Sequence, residues 1–261
     1  MNLIQSTFSQ LKEQKKTAFI AYVTAGDPDL ATTEKLVPAL AEAGADIIEL
    51  GVPFSDPLAD GPTIQAASQR ALDKGTTLTK IFESVEKIRK SSQVPICLMS
   101  YFNPIFYYGE EKFVKKCRQV GVDGVIIPDL PPEEAGAFIE SAKKNDLATI
   151  FFMSPTTRED RVKKVAKQST GFIYYVSVTG VTGARKKLSS SYMNQIKLAK
   201  KYAETPVCVG FGISDAKQVK KVSQHADGVI VGSAIVNEIL KNKGKKSLVA
   251  NVAKFVKKLK Q

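Results

Sequence analysis

Short apolar runs rich in Val, Ile and Phe alternate along the chain with longer amphipathic stretches. Runs of this length fit buried strands and the amphipathic stretches fit covering helices, so the pattern predicts repeated βα units around a parallel sheet. Eight runs qualify as strands: 18–24, 46–50, 94–99, 123–127, 147–152, 171–177, 206–209 and 227–231. Because eight such units favour closure over an open doubly wound sheet, we predict a (β/α)8 TIM barrel.

Two helical patterns lie outside this repeat. The first sixteen residues are amphipathic and lack the charged-then-apolar order of a secretion signal, which predicts an extra N-terminal helix. Residues 235–239 predict a short extra helix after the eighth strand. No linker or low-complexity tract divides the chain, so we expect a single domain over residues 1–261. Since no apolar stretch reaches about 18 residues, we expect a cytoplasmic protein without membrane association.

The formal net charge is +12, which raises the question of nucleic-acid binding. The distribution of lysine argues against it, because lysines recur where solvated outer faces of helices are predicted. These segments are 112–118, 163–167, 197–201, 217–221 and 241–260. We therefore expect no nucleic-acid partner.

The cysteines and the single histidine offer little chemistry. Cys97, Cys117 and Cys208 are odd in number and lack metal-ligand spacing, so we expect buried apolar side chains, without a disulfide or a metal site. His225 belongs to one of three similar phrases that precede strands: 43–46 (AGAD), 120–124 (VGVDG) and 225–228 (HADG). These turns fall on the N-terminal side of the barrel, which favours a structural role for their polar residues.

Glycine-rich phrases follow the last two predicted strands. Residues 210–214 (GFGIS) follow the seventh strand and residues 232–234 (GSA) follow the eighth, with 180–183 (GVTG) as a third such loop. Phosphate is held by backbone N–H groups that no side chain obstructs, at the N-terminus of a helix. Barrels often build such a site from these two loops and an extra helix, although each glycine taken singly also fits an ordinary turn.

Glu49 lies near the carboxyl end of the second predicted strand. Side chains alternate along a strand, so Glu49 shares a face with Ile47, and Ile48 and Leu50 share the other. A buried carboxyl group at this end of a barrel is suited to proton transfer, because burial raises its pKa. A carboxylate in a salt bridge at the barrel rim is the alternative.

The loop that follows, residues 51–62, is long and restrained by three prolines. A restrained loop can aim a carboxylate, and either Asp60 or Asp56 can face Glu49 across a pocket. Two acids in different environments would take different roles. An Asx-turn at either position is the competing interpretation.

Residues 49–64 (ELGVPFSDPLADGPTI) closely resemble the signature of the tryptophan synthase alpha subunit family. The resemblance extends over nearly the whole chain, through the segments 22–28 (YVTAGDP), 101–104 (YFNP), 128–131 (PDLP), 180–183 (GVTG), 210–214 (GFGIS) and 232–236 (GSAIV). It implies retro-aldol cleavage of indole-3-glycerol phosphate to indole and glyceraldehyde 3-phosphate, without a metal or organic cofactor.

The resemblance also implies roles for particular residues. Glu49 matches the proton shuttle, Asp60 the carboxylate that binds the indole N–H, and Tyr174, chosen over Tyr175 by its spacing from 180–183, a tyrosine near the reacting side chain. The indole pocket is implied to include Tyr22, Met99 and Ile126, and the phosphate site to include Gly183, Gly212, Gly232 and Ser233. Position 22 is commonly Phe in the family, and Val178 stands where some members have Arg.

Members of this family work with a beta subunit that carries pyridoxal phosphate, in an alpha2-beta2 complex. The resemblance implies that loop 53–60 couples the two subunits, with contacts around Pro53, Asp56, Asn103 and Thr182. Two alternatives are a free-standing lyase that needs no partner and a non-catalytic activator of the beta subunit. The presence of Glu49 and Asp60 argues against the second.

Overall fold

Eight parallel strands close into a barrel in the order in which they occur along the chain. The computed structural model describes residues 2–176, 191–210 and 212–261. The strands are β1 (Ala18–Thr24), β2 (Ile47–Gly51), β3 (Ile96–Met99), β4 (Gly124–Ile126), β5 (Ala148–Met153), β6 (Ile173–Val176), β7 (Val207–Gly210) and β8 (Gly228–Val231). Pairing of β1 with β8 completes the barrel, so all eight expected strands and the expected closure are confirmed.

Helices cover the barrel and extend across both of its ends. Within the described ranges they are α1 (Leu3–Glu13), α2 (Leu30–Glu42), α3 (Pro62–Asp73), α4 (Leu78–Arg89), α5 (Phe102–Tyr108), α6 (Glu110–Val120), α7 (Gly136–Lys144), α8 (Glu159–Gln168), α9 (Ser191–Tyr202), α10 (Ala216–Ser223), α11 (Ser233–Asn242) and α12 (Leu248–Leu259). The extra helices at the N-terminus and after β8 are confirmed as α1 and α11. In addition, β2 and β3 are each followed by two helices where the repeat predicts one, α3 with α4 and α5 with α6.

The two faces of each strand bury different sets of side chains. Ile47, Ile126 and Tyr174 belong to a cluster inside the barrel, whereas Ile48 and Tyr175 belong to the larger cluster between strands and helices. This is the alternation that a strand imposes, and each fully buried Ile or Leu contributes about 1.5–3 kcal/mol through removal from water.

Helix α1 fills the amino-terminal end of the barrel. Its Ile4, Phe8 and Leu11 pack into the interior cluster. The side chain of Asn2 accepts a hydrogen bond from the Ile4 N–H at 2.9 Å and donates to the carbonyl oxygens of Asp123 at 2.7 Å and Asp146 at 2.8 Å. The N-cap thus fixes α1 to the turns before β4 and β5 as well as starting it.

The aspartates of the three similar phrases have the structural role expected of them. A carboxylate oxygen of each accepts the N–H of a residue in the preceding strand, at 2.7–2.8 Å. Each also pairs with a cation, in the combinations Asp46 with Lys260, Asp123 with Arg89 and Asp227 with Lys200. These ion pairs tie the outer helices to the amino-terminal rim.

The surface and the cysteines also follow the sequence pattern. Within the described part of the chain, nearly all lysines of the five basic segments lie on exposed helix faces. Cys97, Cys117 and Cys208 are buried free thiols. No described helix is long and apolar enough to span a lipid bilayer.

Candidate active site

The carboxyl-terminal mouth of the barrel brings two carboxyl groups, two phenols and a helix N-terminus together. β2 ends at Gly51, and the connection to α3 begins there and ends at Gly61, the N-cap of α3. Pro62 starts the helix, where its fixed φ and missing N–H are tolerated. The loop is therefore anchored at both ends, which places its last carboxylate, Asp60, over the mouth.

Glu49 points into the barrel and is completely buried. It lies between Tyr22 of β1 and Cys97 of β3, its partners in register on the adjacent strands. Among the described residues, neither carboxylate oxygen has a hydrogen-bond partner. Burial, and secondarily the negative charge of Asp60, raises the pKa of Glu49 to about 8. Glu49 therefore forms no salt bridge at the rim with a described residue. It is a neutral acid at pH 7.

Asp60 is nearly buried and is held by its backbone as well as its side chain. Its N–H donates to the Pro57 carbonyl oxygen at 3.0 Å, and its carbonyl oxygen accepts from the Gln65 side chain at 2.8 Å. Burial raises the pKa of Asp60 to about 6, and a hydrogen bond from the Tyr101 hydroxyl opposes that rise. Asp60 is therefore an anion at pH 7, opposite a neutral Glu49.

The other candidate in this loop lies elsewhere. Asp56 is exposed, and its carboxylate accepts a hydrogen bond from the Ser55 hydroxyl at 2.5 Å. The structure therefore separates two aspartates that the loop pattern alone left equal. Asp60, which the family resemblance selects, faces the mouth beside Glu49, and Asp56 faces solvent.

The buried phenols of Tyr22 and Tyr174 each pack against a glycine of the next strand. A Cβ atom added to Gly51 would collide with the Tyr22 hydroxyl, and one added to Gly210 would lie 2.6–2.7 Å from atoms of the Tyr174 ring and hydroxyl. The Tyr22 hydroxyl also hydrogen-bonds to the Thr24 hydroxyl at 3.2 Å. Burial raises the pKa of both phenols well above the ordinary value, so both are neutral hydrogen-bonding groups near Glu49 and Asp60.

Apolar side chains complete the wall of the pocket. Ile126 and Met99, both expected from the sequence, pack in the interior cluster. Phe152 and Ile64 were not expected: Phe152 lies 4.7 Å from Tyr174 between ring centroids, and Ile64 packs with Tyr22. Alternation along the fifth predicted strand would have indicated Phe152 as a pocket residue, since it shares a face with Ile150, which lies inside the barrel.

The expected phosphate residues lie beside this pocket. Gly232 is the N-cap of α11 and Ser233 is its first residue. Helix geometry leaves the N–H groups of Ser233 and Ala234 without an intrahelical acceptor, whereas the Ile235 N–H donates to the Gly232 carbonyl oxygen at 2.8 Å. A Cβ atom on Gly232 would lie 3.4 Å from Tyr22 Cβ, which places this helix end against the pocket. Gly212 adopts a φ of +74° on the neighbouring loop, and Gly183 lies outside the described residues.

The residues expected to couple to a partner are only partly at the surface. Asp56 and Asn103 are exposed, but Pro53 is buried and Thr182 lies outside the described residues. The surface around them contains large apolar side chains that the sequence analysis missed: Leu58 is 93% exposed, Phe106 66% and Tyr107 92%. We call these three residues the apolar rim.

Comparisons with known proteins identify the family to which this chain is similar. A sequence profile described as tryptophan synthase alpha chain matches residues 8–261. The tryptophan synthase alpha chain of Geotalea daltonii is 53% identical over 245 residues, which are 94% of this chain and 93% of that one. The crystal structure of tryptophan synthase subunit alpha from Legionella pneumophila has 36% identity and a TM-score of 0.91, covering 99% of this chain and 97% of its own.

A second similar structure comes from an assembly. It belongs to the tryptophan synthase α2β2 complex of the hyperthermophile Pyrococcus furiosus, has 40% identity and a TM-score of 0.85, and covers 93% of this chain and 97% of its own.

Proposed function

We propose that this chain, which belongs to the tryptophan synthase alpha chain family, divides the chemistry of its reaction between Glu49 and Asp60. The reaction is the retro-aldol cleavage of indole-3-glycerol phosphate to indole and D-glyceraldehyde 3-phosphate, and the chain is a carbon–carbon lyase of tryptophan biosynthesis. The burial of Glu49 without a hydrogen-bond partner among the described residues carries the proposal, because it supplies a carboxylic acid that is still protonated at pH 7.

Glu49 moves two protons in this scheme. As an acid it donates its proton to carbon 3 of the indole ring, so that the ring can accept the electrons of the breaking bond. The carboxylate left behind then removes the proton of the side-chain hydroxyl, whose oxygen becomes the aldehyde carbonyl. Glu49 ends protonated, so the proton count balances and the group is ready for the next turnover.

Asp60 stabilises the charge that develops in this step. Protonation of carbon 3 places positive charge on the ring and its N–H, and a fixed carboxylate binds that state more strongly than the neutral ground state. A pKa of about 6 keeps Asp60 ionised at pH 7, as this role requires. Tyr174 would contact the reacting side chain, and Tyr22, Met99 and Ile126 would contact the indole ring.

Backbone amides would hold the phosphate. The first turn of α11 presents the N–H groups of Ser233 and Ala234, and the helix dipole adds partial positive charge there. Gly232 and Gly212 leave the approach to these groups without side chains. Gly183 completes the proposed set. With the phosphate at this helix, the indole ring would lie in the pocket that Tyr22 and Glu49 line.

The pH dependence of the native enzyme tests the division of roles. We expect kcat/KM for indole-3-glycerol phosphate to rise with pH through about 6, as Asp60 ionises, and to fall through about 8, as Glu49 loses its proton. Indole release measured between pH 5 and 9.5 gives both limbs. A rate that keeps rising above pH 9 would contradict Glu49 as the acid.

The apolar rim supports assembly with a beta subunit, in an alpha2-beta2 complex like that of the Pyrococcus furiosus relative. Exposed apolar side chains on adjacent surface segments mark interaction sites. Leu58 belongs to the loop that carries Asp60, and Phe106 and Tyr107 belong to α5, so a bound partner would contact the catalytic loop directly. Closure of that loop on binding would raise activity.

Replacing Phe106 with Glu is expected to weaken binding of the beta subunit by tenfold or more, because it places a charge in an apolar contact. Activity of the isolated chain should change less than twofold. Leu3→Glu, an exposed apolar position at the opposite end of the barrel, is the matched control. Equal affinity for both variants in a calorimetric titration would exclude the rim, and a rate unchanged by the beta subunit would favour a free-standing lyase.

Four further parts of the proposal rest on family membership. This subunit would act without a metal or organic cofactor, and pyridoxal phosphate would be confined to the beta subunit. Residues 1–261 would form one domain located in the cytoplasm.

A further inference from the structure

Tyr101 connects two loops at the mouth of the barrel. It follows β3 and is the N-cap residue of α5, yet its side chain is 95% buried. Its hydroxyl oxygen accepts a hydrogen bond from the N–H of Ala59, the residue before Asp60, at 2.9 Å. Its ring packs on Phe54 of the same loop, with ring centroids 5.2 Å apart. One side chain therefore contacts the catalytic loop near both of its ends.

We propose that Tyr101 is a positioning residue for the lyase reaction: it fixes the loop over the mouth and orients the Asp60 carboxylate toward the indole N–H. This rests on the proposed role of Asp60. The hydroxyl accepts from Ala59, so its own proton remains available to donate to the adjacent carboxylate of Asp60. The Tyr101 hydroxyl thereby holds the backbone before Asp60, and its hydrogen bond lowers the pKa of the Asp60 carboxyl group.

The other two contacts of Asp60 hold only its backbone, so a third contact is needed to orient its side chain. Pro57 and Gln65 hold its backbone, and neither restrains the torsion of its carboxylate. The restraint matters because a charge must be aimed at a developing charge within a few tenths of an ångström to act fully.

Tyr101 is itself held from the other side. The Phe102 N–H donates to Asp129 Oδ1 at 2.8 Å, which fixes the first turn of α5, and the Ser100 hydroxyl donates to the Tyr101 carbonyl oxygen at 3.0 Å. Tyr101 thus belongs to the rigid rim, and the loop is positioned against it. The same α5 carries Phe106 and Tyr107 of the apolar rim, so displacement of α5 would also displace the contact to Asp60.

Tyr101→Phe tests the proposal, because it removes the hydroxyl and keeps the ring on Phe54. We expect kcat for indole-3-glycerol phosphate to fall on the order of tenfold to a hundredfold, with KM changed less than threefold. Loss of a hydrogen bond to the ionised form should also move the acid limb of the pH profile upward by roughly one pH unit. Glu49, Tyr22 and Tyr174 also face Asp60, and this substitution leaves all three in place.

Two controls separate positioning from folding. Tyr108→Phe removes a hydroxyl from the other end of α5 and should change kcat less than twofold. Phe54→Leu removes the ring contact but keeps the hydroxyl; it should lower kcat without moving the acid limb. A merely structural role for the Tyr101 hydroxyl predicts no movement of that limb in Tyr101→Phe, and that result would overturn the proposal.

A double-mutant cycle with Asp60→Asn completes the test. If Tyr101 acts through Asp60, adding Tyr101→Phe to Asp60→Asn should lower the rate less than twofold further. Full multiplication of the two losses would overturn the proposal. An unchanged rate in Asp60→Asn alone would instead refute the proposed role of Asp60, so the two failures are distinguishable.

Discussion

Replacement of Glu49 with Gln is expected to lower kcat for indole-3-glycerol phosphate cleavage by a thousandfold or more, about 4 kcal/mol of transition-state stabilisation. The amide has nearly the same size and fits the same buried position, but it can neither donate a proton to carbon 3 nor accept one from the hydroxyl. Indole release at pH 7 is the measurement. Glu140→Gln, an exposed position on α7, is the matched control and should retain full activity.

Stability measurements show whether this loss is chemical. Because Glu49 has a pKa of about 8 in the folded chain and near 4.5 when unfolded, the native chain loses stability as pH rises between these values. Glu49→Gln has no such group and should not lose that contribution. Its free energy of unfolding should therefore equal or exceed that of the native chain at pH 9. A variant that is inactive and also less stable there would count against a purely chemical role.

Replacement of Asp60 with Asn is expected to lower kcat by about a hundredfold to a thousandfold, with a smaller effect on KM. The amide can still accept a hydrogen bond from the indole N–H, but it has no negative charge to stabilise the protonated ring. The effect should therefore concentrate in the transition state. Steady-state kinetics at pH 7.5 give both constants.

Asp56→Asn supplies the control for this variant, since it makes the same change in the same loop at an exposed position. Its activity without a partner should stay within twofold of the native value. Comparable losses in the two variants would mean that loop charge in general, and not the carboxylate facing Glu49, is what matters.

Local patterns were sufficient to predict the barrel and which side chains of a strand share a face. Alternation along the second strand placed Glu49 on the face of Ile47, and the structure shows that this is the face inside the barrel. The resemblance selected Tyr174 over Tyr175, and the structure places Tyr174 in the interior cluster and Tyr175 outside it. These predictions succeeded because a strand fixes side-chain direction from one residue to the next.

Contacts between distant loops could not be predicted in this way. The bond from Ala59 to Tyr101 joins residues 42 positions apart, and the ion pair of Arg70 with the buried Asp27 joins residues 43 apart. Neither has a local pattern, because each depends on how α3 and α5 lie across the mouth. The βα repeat predicts one helix after each strand and not the second helix that follows β2 or β3. The loop pattern alone left Asp56 and Asp60 equal for the same reason.

The placement of α1 has a consequence for synthesis of the chain. Asn2 is bonded to residues 121 and 144 positions later in the chain, and Ile4, Phe8 and Leu11 are covered only by a nearly closed barrel. At about 5–20 residues per second, roughly 7–30 s separate translation of Asn2 from that of Asp146. During this interval α1 carries an uncovered apolar stripe, which makes it a binding site for a nascent-chain chaperone.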